Sequence, residues 1–228
     1  HLPMKDGKPA IYFCGNSLGL QPKRTADYLQ RELDLWRTHG VEGHFTGDMP
    51  WVSYHEWAKK PLGHLVGANE NEVQAVGSLT SNLHFLLASF YQPLGKRVKV
   101  IIEAGAFPSD FYAVHSHMGM KGVNPDTHLI QLKPKKGGDY LPNEEIIHTI
   151  NELGDELALV LMPGVQYYSG QFFDIKKIAE AAHKVGAYAG FDLAHAIGNL
   201  PMHLHDDGVD FAVWCSYKYL NSGPGGIG

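Results

Sequence analysis

Cysteine is scarce: two residues in 228, Cys14 and Cys215. They lie far apart and neither belongs to a CxxC pair. That argues against a disulfide scaffold and a zinc ribbon, and it suits a reducing, cytoplasmic setting. Long apolar runs are also lacking. Stretches such as 157–162 fall far short of the ~20 residues a membrane-spanning helix requires. There is no excess of basic charge, since 19 Lys and Arg stand against 24 Asp and Glu for a net charge of −5. Nothing therefore points to nucleic acid or to a membrane surface as a partner. The chain shows no repeat, no low-complexity tract and no leader with a charged start and an apolar centre. No metal site is expected. The sequence begins at His1 and stops within Gly-Pro-Gly-Gly-Ile-Gly, where a strand is expected to start, so it reads as part of a longer polypeptide.

What is present is an ordinary globular composition, 44% hydrophobic and 19% charged, enough for one sizeable core. Residues 1–64 are aromatic and irregular. They hold an expected helix over 22–36, with Ala26, Leu29, Leu33 and Trp36 spaced three or four apart. From residue 65 onward, short apolar strands alternate with helical stretches. Strands are expected at 73–76, 98–103, 128–132, 157–162, 188–192 and 210–215. A helix is expected to run from the 77–82 turn to about 91, and others at 111–118, 144–153 and 174–185, the last capped by Asp174 and closed by Gly186. This alternation predicts an α/β domain over 65–228 with a mainly parallel or mixed sheet. Ligands of such sheets sit beyond the carboxyl ends of the strands.

Four of those ends carry unusual polar residues. Gly77-Ser-Leu-Thr-Ser-Asn82 leads into a helix whose free N–H groups and dipole favour a phosphate. Ser78 or Thr80 could equally serve only as a helix cap. In the loop from Glu103 to Asp110, Phe107 could cover a flat ring, or Pro108-Ser-Asp110 could simply start the next helix. Asp192 ends an apolar strand, and a buried carboxylate needs a cationic or donor partner. The protonated pyridine nitrogen of pyridoxal phosphate would be such a partner. A structural carboxylate bonded to backbone N–H groups fits as well, as does a core role for His195. Lys218, just past the last strand, is placed like a Schiff-base lysine, though an isolated lysine there could merely mark the strand's exit into solvent. The order of these four ends is that of a pyridoxal phosphate site.

The chain resembles fold-type I pyridoxal phosphate enzymes, the aspartate-aminotransferase-like superfamily, and among them the kynureninases. The resemblance rests on Phe13-Cys-Gly-Asn-Ser-Leu-Gly-Leu20, Gly43-His-Phe45, Gly77-Ser-Leu-Thr-Ser-Asn-Leu-His84, Phe107-Pro-Ser-Asp110, Gly164-Val-Gln-Tyr-Tyr-Ser-Gly-Gln171, Phe191-Asp-Leu-Ala-His195 and Trp214-Cys-Ser-Tyr-Lys-Tyr-Leu-Asn221. It implies a three-layer large domain whose small C-terminal domain lies outside this chain. It implies pyridoxal phosphate held by Lys218, with Asp192 on the pyridine nitrogen and His195 near the ring. Leu79, Thr80 and Tyr217 would bind the phosphate, and Tyr217 would aid proton transfer with a pKa displaced toward neutrality. Phe107, Pro108, Ser109 and Asp110 would form the ring pocket. Ser17 and His44 match substrate-side positions. The implied reaction is hydrolysis of L-kynurenine or its 3-hydroxy form to an anthranilate and L-alanine, in tryptophan breakdown and NAD precursor supply. The implied assembly is a homodimer with residues 1–64 near the partner's site. A class-V aminotransferase, a cysteine desulfurase relative, or a non-catalytic partner-binding remnant of the fold remain the alternatives. One departure is Pro163, which stands where many relatives carry a hydroxyl.

Overall fold

The computed structural model describes residues 1–134, 138 and 140–228. Five strands form the central sheet: β3 (Lys99–Glu103), β4 (Leu129–Leu132), β5 (Leu157–Pro163), β6 (Tyr188–Asp192) and β7 (Phe211–Val213). A small hairpin, β1 (Met4–Lys5) and β2 (Lys8–Pro9), precedes them. The helices are α1 (Thr25–His39), α2 (Lys59–Val66), α3 (Leu79–Phe90), α4 (Pro108–Met120), α5 (Pro125–His128), α6 (Asn143–Leu153) and α7 (Ile175–Lys184). The sheet order is β4-β3-β5-β6-β7, and every pairing in it is parallel.

Alternation along the strands sorts the core into two layers. Val100, Ile102, Leu159 and Leu161 face one way, onto Leu83 and Leu87 of α3 and Ala113, Val114 and Met118 of α4. Ile101, Val160 and Met162 face the other way, onto Ile146 and Ile150 of α6 and Ile178 and Ala182 of α7. This is the expected three-layer α/β domain. The α7 caps also form as expected. The Asp174 side chain accepts from the Lys177 N–H at 3.1 Å, and Gly186 takes φ +78 beyond the helix end, a conformation cheap only for glycine.

The strand order places the ligand site. The chain moves from β3 outward to β4, then returns to the other side of β3 to lay down β5, β6 and β7. A crevice opens where the winding reverses, beyond the carboxyl ends of β3 and β5.

Two expectations require correction. Residues 73–76 do not form a strand. A strand needs a neighbour in hydrogen-bond register, and β7 pairs only with β6 among the described residues; the Val76 N–H donates to the Gly228 carbonyl, and the Val76 carbonyl accepts from the Asn82 side chain. The first helix is Thr25–His39, shifted from 22–36, and none of its residues is buried. Its Leu29, Leu33 and Trp36 stay exposed, so the three-four spacing identified a helix correctly but not a face packed within this chain. No described helix is long and apolar enough to cross a membrane.

Candidate active site

The carboxyl ends of β3, β5 and β6, the starts of α3 and α4, and the 214–218 loop enclose a cavity of about 180 Å³. Nine of the expected site residues line it: Leu79, Thr80, Phe107, Ser109, Asp110, Asp192, His195, Tyr217 and Lys218. Pro108 does not; it is the first residue of α4, where its fixed φ and missing N–H fit a helix start. Ser17 and His44 are not brought to the cavity either. Both are exposed, and the His44 ring meets Trp51 edge to face at 5.4 Å.

At the start of α3 both readings of the sequence hold. Ser78 is the cap, its Oγ accepting from the Ser81 N–H at 3.2 Å, while Leu79 and Thr80 line the cavity. As first residues of a helix, their N–H groups have no acceptor within it, and they stand where the dipole favours an anion.

Lys218 Nζ lies 2.8 Å from His195 Nε2 and 5.8 Å from the centre of the Phe107 ring. Burial, and then the Lys218 charge, hold the His195 pKa below its ordinary value. His195 is therefore a neutral imidazole, able to accept from the lysine. Phe107 in turn meets Tyr167 edge to face, with centroids 5.3 Å apart. The Lys218 loop is fastened from the far end of the chain. The Gly19 N–H donates to the Tyr217 carbonyl at 2.7 Å, and a Cβ on Gly19 would collide with the Lys218 carbonyl and with Asn221. Only glycine allows that approach.

Three buried carboxylates share the site. Asp192 ends β6, 9% exposed, with Oδ1 accepting from the Ala194 N–H at 2.7 Å. Asp110 sits in the first turn of α4. Burial and then neighbouring Asp192 push its carboxyl well above the usual range, so it holds a proton at neutral pH. Glu103 ends β3, 7% exposed, and burial, with a smaller push from Asp192, raises it to about 7. None of the three has an ion pair among the described residues. A buried acidic cluster of this kind, closed by a lysine and topped by aromatic rings, fits a planar ligand that brings a cationic N–H to Asp192 and a phosphate to α3. Pyridoxal phosphate has that shape and charge. Burial and then Cys215 move the Tyr217 hydroxyl up to about 12. It is a neutral donor, which suits a phosphate oxygen. Sequence reasoning had not assigned Glu103 or Tyr167 to the site. Glu103 gave the same signal as Asp192, an acid at the end of an apolar strand.

An α/β chain with a lysine, a strand-end aspartate and a helix-start anion site at its switch point belongs to the class of fold-type I pyridoxal phosphate proteins. Residues 11–228 match the family aminotransferase class-V, and the chain belongs to that family. It is 51% identical over 226 residues to kynureninase of Xanthomonas campestris pv. campestris, covering 99% of this chain and 53% of that protein. Kynureninase of Myxococcus xanthus gives the same identity and coverage. The chain thus spans about half the length of the curated relatives it matches. Among solved structures, a C-DES variant with glycine covalently linked to its PLP cofactor superposes with a TM-score of 0.75 at 15% identity, over 94% of this chain and 54% of that one. That likeness concerns the fold.

Proposed function

We propose that the complete protein is a pyridoxal phosphate-dependent hydrolase that cleaves L-kynurenine or 3-hydroxy-L-kynurenine, with water, to an anthranilate and L-alanine. The observation that carries this reading is the 51% identity to kynureninases across nearly the whole chain. Pyridoxal phosphate, when bound, supplies an electron sink for the pair left at the substrate Cα. The chain's residues do the rest. Lys218 would hold the cofactor and then, as a free amine, take and return a proton at Cα. His195 accepts from Lys218 and keeps its nitrogen aimed into the cavity. Asp192 would receive the ring N–H, with the protonated Asp110 carboxyl beside it. Leu79, Thr80 and Tyr217 donate to the phosphate, and Phe107 covers the ring face.

In the same reading the protein is a cytoplasmic homodimer serving tryptophan breakdown and NAD precursor supply. The exposed Leu29, Leu33, Trp36, Phe45 and Trp57 would then face the partner, and Ser17 and His44 would join a substrate site between the subunits. Residues 1–64 act as that interface segment, and 65–228 as the cofactor domain.

The test is full-length protein with added pyridoxal phosphate, L-kynurenine and, in parallel, 3-hydroxy-L-kynurenine. Anthranilate fluorescence with alanine in equal amount is expected. Amino transfer to a keto acid, or sulfur release from cysteine, with no anthranilate would replace this reading by one of the other reactions of the fold.

A further inference from the structure

Residues 164–171 follow β5 and contribute Val165 and Tyr167 to the cavity lining. They carry Tyr167, whose ring meets Phe107 edge to face. Neither ring is held by the core, since both are substantially exposed. An edge-to-face pair contributes about 0.5–1.5 kcal/mol, too little to fix two loops by itself, so something else must set their separation.

Gln166 sits between the two loops. Its Oε1 accepts from the Tyr168 N–H at 2.6 Å and from the Ser169 N–H at 2.7 Å. Its Nε2 donates across to the other loop, to the Gly105 carbonyl at 3.2 Å and to Glu103 Oε1 at 3.4 Å. One amide thus satisfies two backbone donors of its own turn and two acceptors of the segment that carries Phe107. The far end of the turn is fixed separately. Gln171 Oε1 accepts from the Leu141 N–H at 3.0 Å, and its Nε2 donates to the Leu141 carbonyl at 2.6 Å. With that end held, the side-chain hydrogen bonds that join the turn to the cofactor wall, among the described residues, are those of Gln166. A buried Glu103 with no cationic partner gains from such a donor, and an amide can serve both sides because it is donor and acceptor at once.

We propose that Gln166, braced on Glu103 and Gly105, is a positioning residue that sets Tyr167 against Phe107 and so holds the aromatic cover over the cofactor ring. The role rests on the pyridoxal phosphate reading above for its consequence, though not for its mechanics. Gln166 touches no reacting atom; it acts through the two rings.

Three substitutions in the full-length protein separate the parts of this claim. Gln166→Ala removes both halves of the brace. Gln166→Glu keeps an acceptor for Tyr168 and Ser169 but loses the donor and sets a second acid against Glu103. Glu103→Gln keeps an acceptor for Gln166 and serves as the conservative control. Amide hydrogen exchange on cofactor-free protein is the first readout. Exchange at residues 168–169 should rise 10-fold or more in Gln166→Ala only, and exchange at 105–107 should rise in both Gln166 variants but not in Glu103→Gln. The second readout is visible-band circular dichroism of bound pyridoxal phosphate, which reports the packing around the ring. It should fall by half or more in both Gln166 variants. Unchanged exchange at 105–107 in both Gln166 variants would overturn the brace. Raised exchange with an unchanged cofactor band would overturn its positioning role. A wild-type protein that binds no pyridoxal phosphate would instead sink the functional reading, and the exchange measurement would still decide the brace.

Discussion

Residues 1–64 and 65–228 use apolar side chains in opposite ways. The second region turns Val, Ile, Leu and Phe inward on both faces of the sheet, and Phe191 and Val160 are fully buried. The first region leaves Leu33 54% and Trp36 66% exposed and contributes no residue to either core cluster before Leu62. The second region folds around its own core, whereas the first is held by particular contacts, of which the Gly19 link to Tyr217 lies nearest the chemistry. Yet the core region is also where polar cost gathers, because the ends of β3 and β6 and the start of α4 carry Glu103, Asp192 and Asp110 out of water. Packing comes from the middle of the strands and function from their ends.

The strongest way to separate those two is Lys218→Ala in the full-length protein. Kynurenine cleavage should fall by roughly 10³-fold or more, and borohydride should no longer fix the cofactor to the protein. The unfolding temperature of the cofactor-free protein should stay close to wild type, because Lys218 is only half-buried and its one described hydrogen bond is to His195. Retained turnover would place the essential amine elsewhere.

The cost of the strand ends should show in pH dependence. Burial raises Glu103 from 4.5 to about 7 in the folded protein. Below pH 4.5 both states hold the proton. Between there and about 7 the unfolded chain releases it and the folded protein keeps it, so stability falls as pH rises through that window. At about 1.4 kcal/mol for each pH unit, the loss approaches about 3 kcal/mol. Asp110 adds in the same sense. Urea unfolding of cofactor-free protein at pH 5 and pH 7 should show this decline, and Glu103→Gln should remove its share. A flat profile would mean that Glu103 is ionised in the fold.

Gly19→Ala tests the thread between the regions. The new Cβ meets backbone and must displace the Lys218 carbonyl or Asn221, a strain of about 1–3 kcal/mol. The expected result is faster proteolysis within 1–64 and roughly 10-fold weaker kcat/KM, with core unfolding little changed. Equal proteolysis rates would show that other contacts hold the segment.

The sequence made the second region legible because its strands are short and mostly apolar, and because acids and a lysine at strand ends contradict an apolar core. It could not reveal that residues 73–76 have no strand beside them, since strand formation depends on a neighbour and not on composition. Nor could it reveal Gln166, two of whose four side-chain hydrogen bonds reach a segment 61 to 63 residues away and leave no periodic mark. The first region was readable only as one helix. Its 3₁₀ turns, Gly40–His44 and Trp51–Glu56, follow no 3.6-residue pattern. The Leu29-Leu33-Trp36 stripe gave a true periodicity, but its side chains are exposed among the described residues.

That stripe yields the smallest effect on the chain's own fold and the clearest contrast between the regions. Leu33→Ser removes an apolar side chain that touches no core, so unfolding of the dissociated subunit should change by no more than about 0.5 kcal/mol. If α1 is covered by a second subunit, the same change deletes a buried leucine at the interface, where about 1.5–3 kcal/mol of burial would be lost. Sedimentation of the full-length protein over a range of concentrations should then show dimer dissociation strengthened at least 10-fold. A dimer unaffected by Leu33→Ser and by Trp36→Ala would leave α1 facing solvent, and the interface would have to be sought on the aromatic turns 40–57 instead.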